Sequence, residues 1–270
     1  MTDRPLQGRV ALVTGAGRGL GRAFAETLAR LGASIAVHGM REDGPAEYGE
    51  GTTLTATAKE IGETHGVRTV RLLGDLTRGD EVARVVAEAE ASLGPIDILV
   101  HNAGGDIAAA GGKPDPNDVV TIKPEDVRAV IDRNLLSTIF VCQEVARGMM
   151  QRRRGRIITI GSVAAFKGRT NASIYATAKA GALHFTRCLA DQMRPYDVAV
   201  NCIAPGDTRT ERFVGTRDVD PARLATEGTL DRIATVDEVA RVVEFLAGPM
   251  SAFVSGQVIR VDGGGQIWPA

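Results

Sequence analysis

Short apolar runs alternate with longer amphipathic ones along the whole chain, the pattern of repeated strand-helix units around a parallel sheet. Seven runs read as strands, at residues 9–13, 34–38, 69–73, 96–100, 156–160, 199–204 and 257–261. Between them apolar residues recur at helical spacing: Leu20, Phe24, Leu28 and Leu31, then Val82, Val85, Val86 and Ala89, and later Val239, Val242, Val243 and Leu246. Each such helix offers one apolar face to a sheet. No repeat of fixed period is present, and no Pro/Gly/Ser linker separates two self-sufficient sets of elements. The expectation is an α/β fold with seven parallel strands and helices on both faces.

Three segments break the rhythm. Residues 42–53 and 104–118 are rich in Gly, Pro and acidic side chains, and residues 207–226 mix Arg, Asp, Glu and Thr with few large apolar ones. Each follows a strand, so all three are expected at the carboxyl edge of the sheet, where open α/β sheets bind ligands.

Composition removes several classes. Of 270 residues 44 % are hydrophobic and 24 % charged, which excludes a disordered chain. Net charge is -1, so no global field favours nucleic acid or an anionic membrane. The basic run Gln151, Arg152, Arg153, Arg154, Gly155, Arg156 has no interleaved aromatics and reads as a solvated turn near a helix C-terminus. Cys142, Cys188 and Cys202 lack disulfide or zinc spacing and are expected to be small buried thiols. His38, His65, His101 and His184 show no ligand spacing, so no metal is expected. With no signal-peptide core and no apolar stretch of membrane length, the expected location is the cytoplasm.

Candidate chemistry begins where the first strand runs into Thr14, Gly15, Ala16, Gly17, Arg18, Gly19, Leu20 and Gly21. This is a G-x-x-x-G-x-G loop opening a helix. Its glycines let the backbone approach a diphosphate, whose charge the helix N-terminus stabilises. A second signal is Tyr175 followed by Lys179, one helical turn apart on the same face. A tyrosine working near neutral pH needs its pKa of about 10 lowered by roughly three units, or about 4 kcal/mol, and a nearby ammonium is a direct means. Ser162 follows the fifth strand, where its hydroxyl can hydrogen-bond a substrate oxygen or simply cap the next segment.

Together these residues resemble the short-chain dehydrogenase/reductase family, over nearly the full length and in the family's order. The glycine loop looks like its coenzyme motif, with Asn102, Ala103 and Gly104 as the strand-four motif. Asn134, Ser162, Tyr175 and Lys179 match its catalytic set, Pro205, Gly206, Thr208 and Thr210 its nicotinamide-side loop, and Val261 to Gly264 its C-terminal strand. The resemblance implies a single Rossmann-type doubly wound domain over residues 1–270. It implies an alcohol–ketone oxidoreductase in which Tyr175 exchanges the proton, Lys179 lowers its pKa and binds ribose, and Ser162 holds the reacting oxygen. Asn134 would position a water linking Lys179 to solvent, and Asp75 and Leu76 would contact adenine. It further implies a homotetramer, with the tail 266–270, which carries Trp268, against a neighbouring subunit. His101 stands where the family often has asparagine and receives no role.

At the end of the second strand Gly39 occupies the position where NAD-specific sites carry an acidic residue. Arg18 and Arg41 can both reach a ribose phosphate, so NADP(H) is favoured over NAD(H). The competing possibility gives the ribose to Glu42 or Asp43. The expected substrate pocket offers Phe166, Lys167, Arg169, Asp207, Arg209 and Arg212, a polar set suited to a small hydroxyl or keto compound. The alternatives are a 3-oxoacyl-thioester reductase and, in another class, a non-catalytic dinucleotide sensor.

Overall fold

Successive strand residues face opposite sides of a sheet, and the sequence exploits this parity. In the computed structural model, which describes residues 4–267, Ala11 and Val13 of β1 (Val10–Thr14) face one core with Ile35 and Val37 of β2 (Ser34–Gly39). Val10, Leu12 and Ala36 face the other. The sheet is completed by β3 (Thr69–Leu73), β4 (Ile98–His101), β5 (Gly155–Ile160) and β6 (Val198–Pro205), with β9 (Val258–Val261) at its far edge. All pairs are parallel, in the order β3-β2-β1-β4-β5-β6-β9. The seven expected strands are therefore all present, with ends shifted by at most two residues. A two-stranded pair outside the sheet, β7 (Thr208–Arg209) with β8 (Ala234–Thr235), had no counterpart in the sequence pattern.

Helices cover both faces. On one, α1 (Gly19–Arg30), α2 (Leu54–His65) and α8 (Val236–Ala247) bury Phe24, Leu28, Ile61, Val239, Val243 and Leu246. On the other, α3 (Gly79–Leu93), α5 (Ser137–Arg152) and α6 (Ser173–Met193) bury Val82, Val85, Val141, Met149, Leu189 and Met193. The shorter α4 (Pro124–Ile131) joins α5 through a π-helical turn at Asp132–Leu136, and α7 (Glu211–Gly215) lies in the 207–226 segment. Among the described residues no helix is long and apolar enough to cross a membrane.

The chain runs outward from β1 to β3 and then crosses back to β4, so a crevice opens between the carboxyl ends of β1 and β4. The segments 42–53, 104–118 and 207–226 all leave the sheet at that edge. The opposite edge is tied by Asp97, a buried carboxylate that accepts from the Val10 N–H at 3.1 Å and pairs with Arg9 and Arg154 at 3.3 and 2.6 Å. Arg152 donates to the Ile96 carbonyl and Arg153 to that of Pro195. The basic run is thus a set of ties between elements and not a merely solvated turn. Cys142 and Cys202 are buried, but Cys188 is exposed on α6, whose buried stripe runs through Leu189 instead. Trp268 lies outside the described residues.

Candidate active site

The crevice floor is organised by a threonine. Thr14 Oγ1 accepts from the backbone N–H groups of Asn102 and Ala103, both at 3.0 Å. With both lone pairs used, its hydrogen goes to His101 Nδ1 at 3.1 Å. His101 is therefore the neutral Nε2–H tautomer, and Nε2 faces Ser137 Oγ at 3.4 Å, whose own proton goes to the Arg133 carbonyl. Burial pushes the His101 pKa down to about 3, with the Lys179 charge adding to the effect. His38 repeats the arrangement: Nδ1 accepts the Gly15 N–H at 3.4 Å and Nε2 donates to the Gly74 carbonyl at 3.1 Å. Its pKa is lowered by burial to about 4. Two uncharged imidazoles thus support consecutive residues of the glycine loop. The sequence reading gave neither a role, because the signal is tertiary.

The glycines make a cradle that a side chain would fill. A Cβ on Gly21 would overlap the Gly15 carbonyl oxygen and approach Asn102 Nδ2 to 2.7 Å. Asn102 Nδ2 donates to that same carbonyl at 3.1 Å. Gly15, Arg18, Gly19, Leu20, Arg41, Asp75, Leu76, Asn102 to Gly104 and Thr210 line one cavity of about 430 Å³. Asp75 is turned into its own loop, accepting from the Thr77 N–H and hydroxyl. Thr208 donates to the Gly206 carbonyl at 3.1 Å, while Thr210 caps α7 and stands against Gly19. This glycine-lined floor at the head of α1 fits a dinucleotide diphosphate.

The 42–53 insert crosses the cavity. Gly44–Tyr48 forms a 3-10 turn, and Gly49 adopts φ 73°. Glu47 Oε2 lies 3.1 Å from both Arg18 Nη1 and Arg41 Nη2, and the Arg18 guanidinium stacks 4.5 Å from the Tyr48 ring centre. Glu50 Oε2 accepts the Gly19 N–H at 2.5 Å. Glu42, by contrast, accepts from the Thr55 N–H at the start of α2, and the Thr55 side chain, followed by that backbone group, holds its carboxyl below the usual range. Neither Glu47 nor Glu50 was singled out in the sequence. The available signal was an acidic insert beside a loop built to attract anions.

Ser162, Tyr175 and Lys179 meet where β5 ends and α6 begins. Ser162 Oγ accepts the Ala164 N–H at 3.1 Å, capping the next turn, and stands near enough to the Tyr175 phenol to pull its pKa down. Lys179 Nζ lies 5.8 Å from the Tyr175 ring centre and donates to the Ile160 carbonyl at 2.7 Å. Burial lowers the Lys179 pKa to about 8. Burial also raises the Tyr175 pKa, against the lowering pull of the Ser162 hydrogen bond. The lowering charges are those of Arg212 and Arg217, not the expected Lys179, and removal of the phenol from water outweighs them.

Asn134, in the π-helical turn, donates from Nδ2 to the carbonyls of Gly105 and Val130 and accepts the Gly105 N–H on Oδ1. Both amide protons are committed to the backbone, leaving none to donate to the water expected at this residue. Arg133 holds the same loop through the carbonyls of Ile107 and Ala108.

Beside Ser162, Val163 borders a second cavity of about 660 Å³ whose lining includes Lys167, Arg169, Asp207 and Arg223. Of the other expected pocket residues, Arg212 lines the first cavity and reaches the Asp106 carbonyl. Arg209 donates to the Leu224 carbonyl, and Phe166 lies under Arg260.

The model of the short chain dehydrogenase family matches residues 9–219. Cyclohexanol dehydrogenase of Rhodococcus sp. (strain TK6) is 36 % identical over 274 residues, covering 98 % of each chain. The 3-oxoacyl-[acyl-carrier-protein] reductase FabG of Escherichia coli (strain K12) is 34 % identical, covering 96 % of this chain and 97 % of that protein. Among solved structures, a 7α-hydroxysteroid dehydrogenase complexed with NADH and 7-oxo glycochenodeoxycholic acid superposes with a TM-score of 0.83 at 30 % identity, covering 98 % of this chain and 96 % of the other. With a family match over most of its length and relatives above 30 % identity end to end, the chain belongs to the short-chain dehydrogenases, oxidoreductases that act on CH–OH and ketone groups with a nicotinamide dinucleotide.

Proposed function

We propose that the protein interconverts a secondary alcohol and a ketone on a small polar substrate, with Tyr175 as general acid/base. The observation that carries this is the convergence of Ser162 on Tyr175 with Lys179 buried against the phenol ring. A bound nicotinamide dinucleotide supplies or accepts the hydride. Gly15, Gly19, Leu20 and Gly21 hold its diphosphate, Asp75 and Leu76 its adenine, and Asn102, Ala103 and Gly104 form the floor. Lys179 binds ribose, and Pro205, Gly206, Thr208 and Thr210 flank the nicotinamide. Ser162 holds the reacting oxygen, and Tyr175 gives it the phenolic proton in reduction. Burial keeps the phenol protonated near neutral pH, the form that reduction requires. Asn134 positions the loop after β4. The 660 Å³ cavity, with Lys167, Arg169 and Arg223 in its wall, supports a carboxylate- or hydroxyl-bearing substrate.

NADP(H) is the preferred coenzyme in this reading, because Arg18 and Arg41 converge beside Gly39. Tighter NADH binding, unaffected by Arg41→Ala, would overturn that preference. The chain works as a single domain and a cytoplasmic homotetramer. Similarity to the acyl-carrier-protein reductase favours a second reading, a 3-oxoacyl-thioester substrate, and the two separate on a panel of ketones and acyl thioesters. The central test is Tyr175→Phe, which is expected to abolish turnover and leave the coenzyme dissociation constant unchanged. Wild-type protein that binds dinucleotide yet turns over no alcohol, ketone or thioester would establish the sensor instead.

A further inference from the structure

The insert places two carboxylates where the coenzyme's phosphates belong. Glu47 bridges Arg18 and Arg41, the two cations available to a 2′-phosphate. Three residues on, Glu50 accepts the Gly19 N–H at the head of α1, where a diphosphate would be stabilised. The geometry that sets this spacing is local: the turn Gly44–Tyr48 carries Glu47, and Gly49 in the left-handed region redirects the chain. Arg22 Nη1 then fixes the Glu50 carbonyl at 2.8 Å. One anchored strap therefore presents both side chains to subsites of a single ligand.

The fit at the diphosphate position is incomplete. Glu50 Oε1 is buried and has no hydrogen-bond partner among the described residues, a costly condition for a carboxylate oxygen. A diphosphate brings more oxygens to the same row of N–H groups and replaces a half-satisfied anion with a better satisfied one. At the other position Glu47 bridges both guanidinium groups, with Asp43 also on Arg41 and the Gly44 carbonyl also on Arg18, so a 2′-phosphate must displace Glu47 to reach both arginines.

We infer that Glu47 and Glu50 compete with the coenzyme from within the chain, Glu47 setting which dinucleotide is preferred and Glu50 how tightly either binds. Glu50 opposes the diphosphate that both dinucleotides share, and Glu47 opposes the 2′-phosphate that only NADP(H) carries. This rests on the coenzyme site proposed above. Glu50→Gln and Glu47→Gln keep size and remove charge, and each variant is titrated with NADPH and with NADH by nicotinamide fluorescence. Glu50→Gln is expected to tighten both coenzymes by about tenfold, the scale of one charge-assisted hydrogen bond, with their ratio unchanged. Glu47→Gln is expected to tighten NADPH by about tenfold and leave NADH within about twofold. Alanine at either position is the second variant, with the same expectations.

Unchanged or weaker binding of both coenzymes by the Glu50 variants, or an unchanged NADPH/NADH ratio in the Glu47 variants, would overturn the inference while leaving the coenzyme site intact. A wild-type preference for NADH with the ratio still moved by Glu47 would sustain the inference and remove only the preference proposed above. Binding of neither dinucleotide by any of the proteins would remove both.

Discussion

Acidification from pH 7 to pH 5 is expected to cost the fold about 4 kcal/mol through two histidines, ahead of most carboxylate titration. His38 and His101 are buried as neutral rings, with pKa values of about 4 and about 3 against an ordinary 6.5. Because the folded values lie below the unfolded one, the unfolded chain takes up protons first, and stability falls as pH drops through 6.5 toward 4 and 3. Over pH 7 to 5 each ring contributes about 2 kcal/mol, a large share of a typical net stability of about 5–15 kcal/mol. Glu238, held down to about 2 by its hydrogen bond to Arg232, adds little over this window, because most of its loss falls below its ordinary 4.5. The assay is urea unfolding at pH 7, 6 and 5. The double variant His38→Gln with His101→Asn is expected to flatten the dependence, leaving the share of the more exposed His65, whose pKa is also lowered by burial. A wild-type loss below about 1 kcal/mol, or an undiminished slope in the double variant, would refute the assignment of these rings as neutral hydrogen-bond acceptors.

Two further outcomes follow from the site. Gly21→Ala forces a methyl against the Gly15 carbonyl, a backbone atom with little room to yield. A cost of about 1–3 kcal/mol is expected, with coenzyme affinity falling more than about tenfold, read by thermal melting and coenzyme titration. Lys179, lowered by burial to about 8, is an ammonium below that pH and neutral above it. Turnover is therefore expected to decline above about pH 8, and a profile flat to about pH 10 would separate Lys179 from the rate.

The architecture was legible because each strand's parity and each helix's stripe must satisfy two cores at once. Val13 and Leu12 already declare opposite faces. The ligand edge was legible too, since a glycine loop between strand and helix has few other uses. What stayed hidden depends on long-range partners. The pairing of β7 with β8 joins two residues to two others, too few for any period to register. Arg152, Arg153 and Arg154 read as a solvated turn because nothing local reveals that Ile96, Pro195 and Asp97 await them. Glu47 and Glu50 are ordinary surface glutamates until the insert folds back over Arg18 and Gly19. The sign of the Tyr175 shift escaped for the same reason: spacing shows the neighbouring ammonium but not the depth of burial.

Asp97 also bears on the order in which the molecule comes apart. Its partner Arg9 is 88 positions away, and Arg154 lies beyond an entire further strand-helix unit. The carboxylate has all its contacts only once β1, β4 and β5 lie side by side. Contacts made after the folding barrier slow unfolding without hastening folding. Asp97→Asn is accordingly expected to speed unfolding more than it slows folding, loosening the edge remote from the chemistry, as read by unfolding and refolding rates in urea.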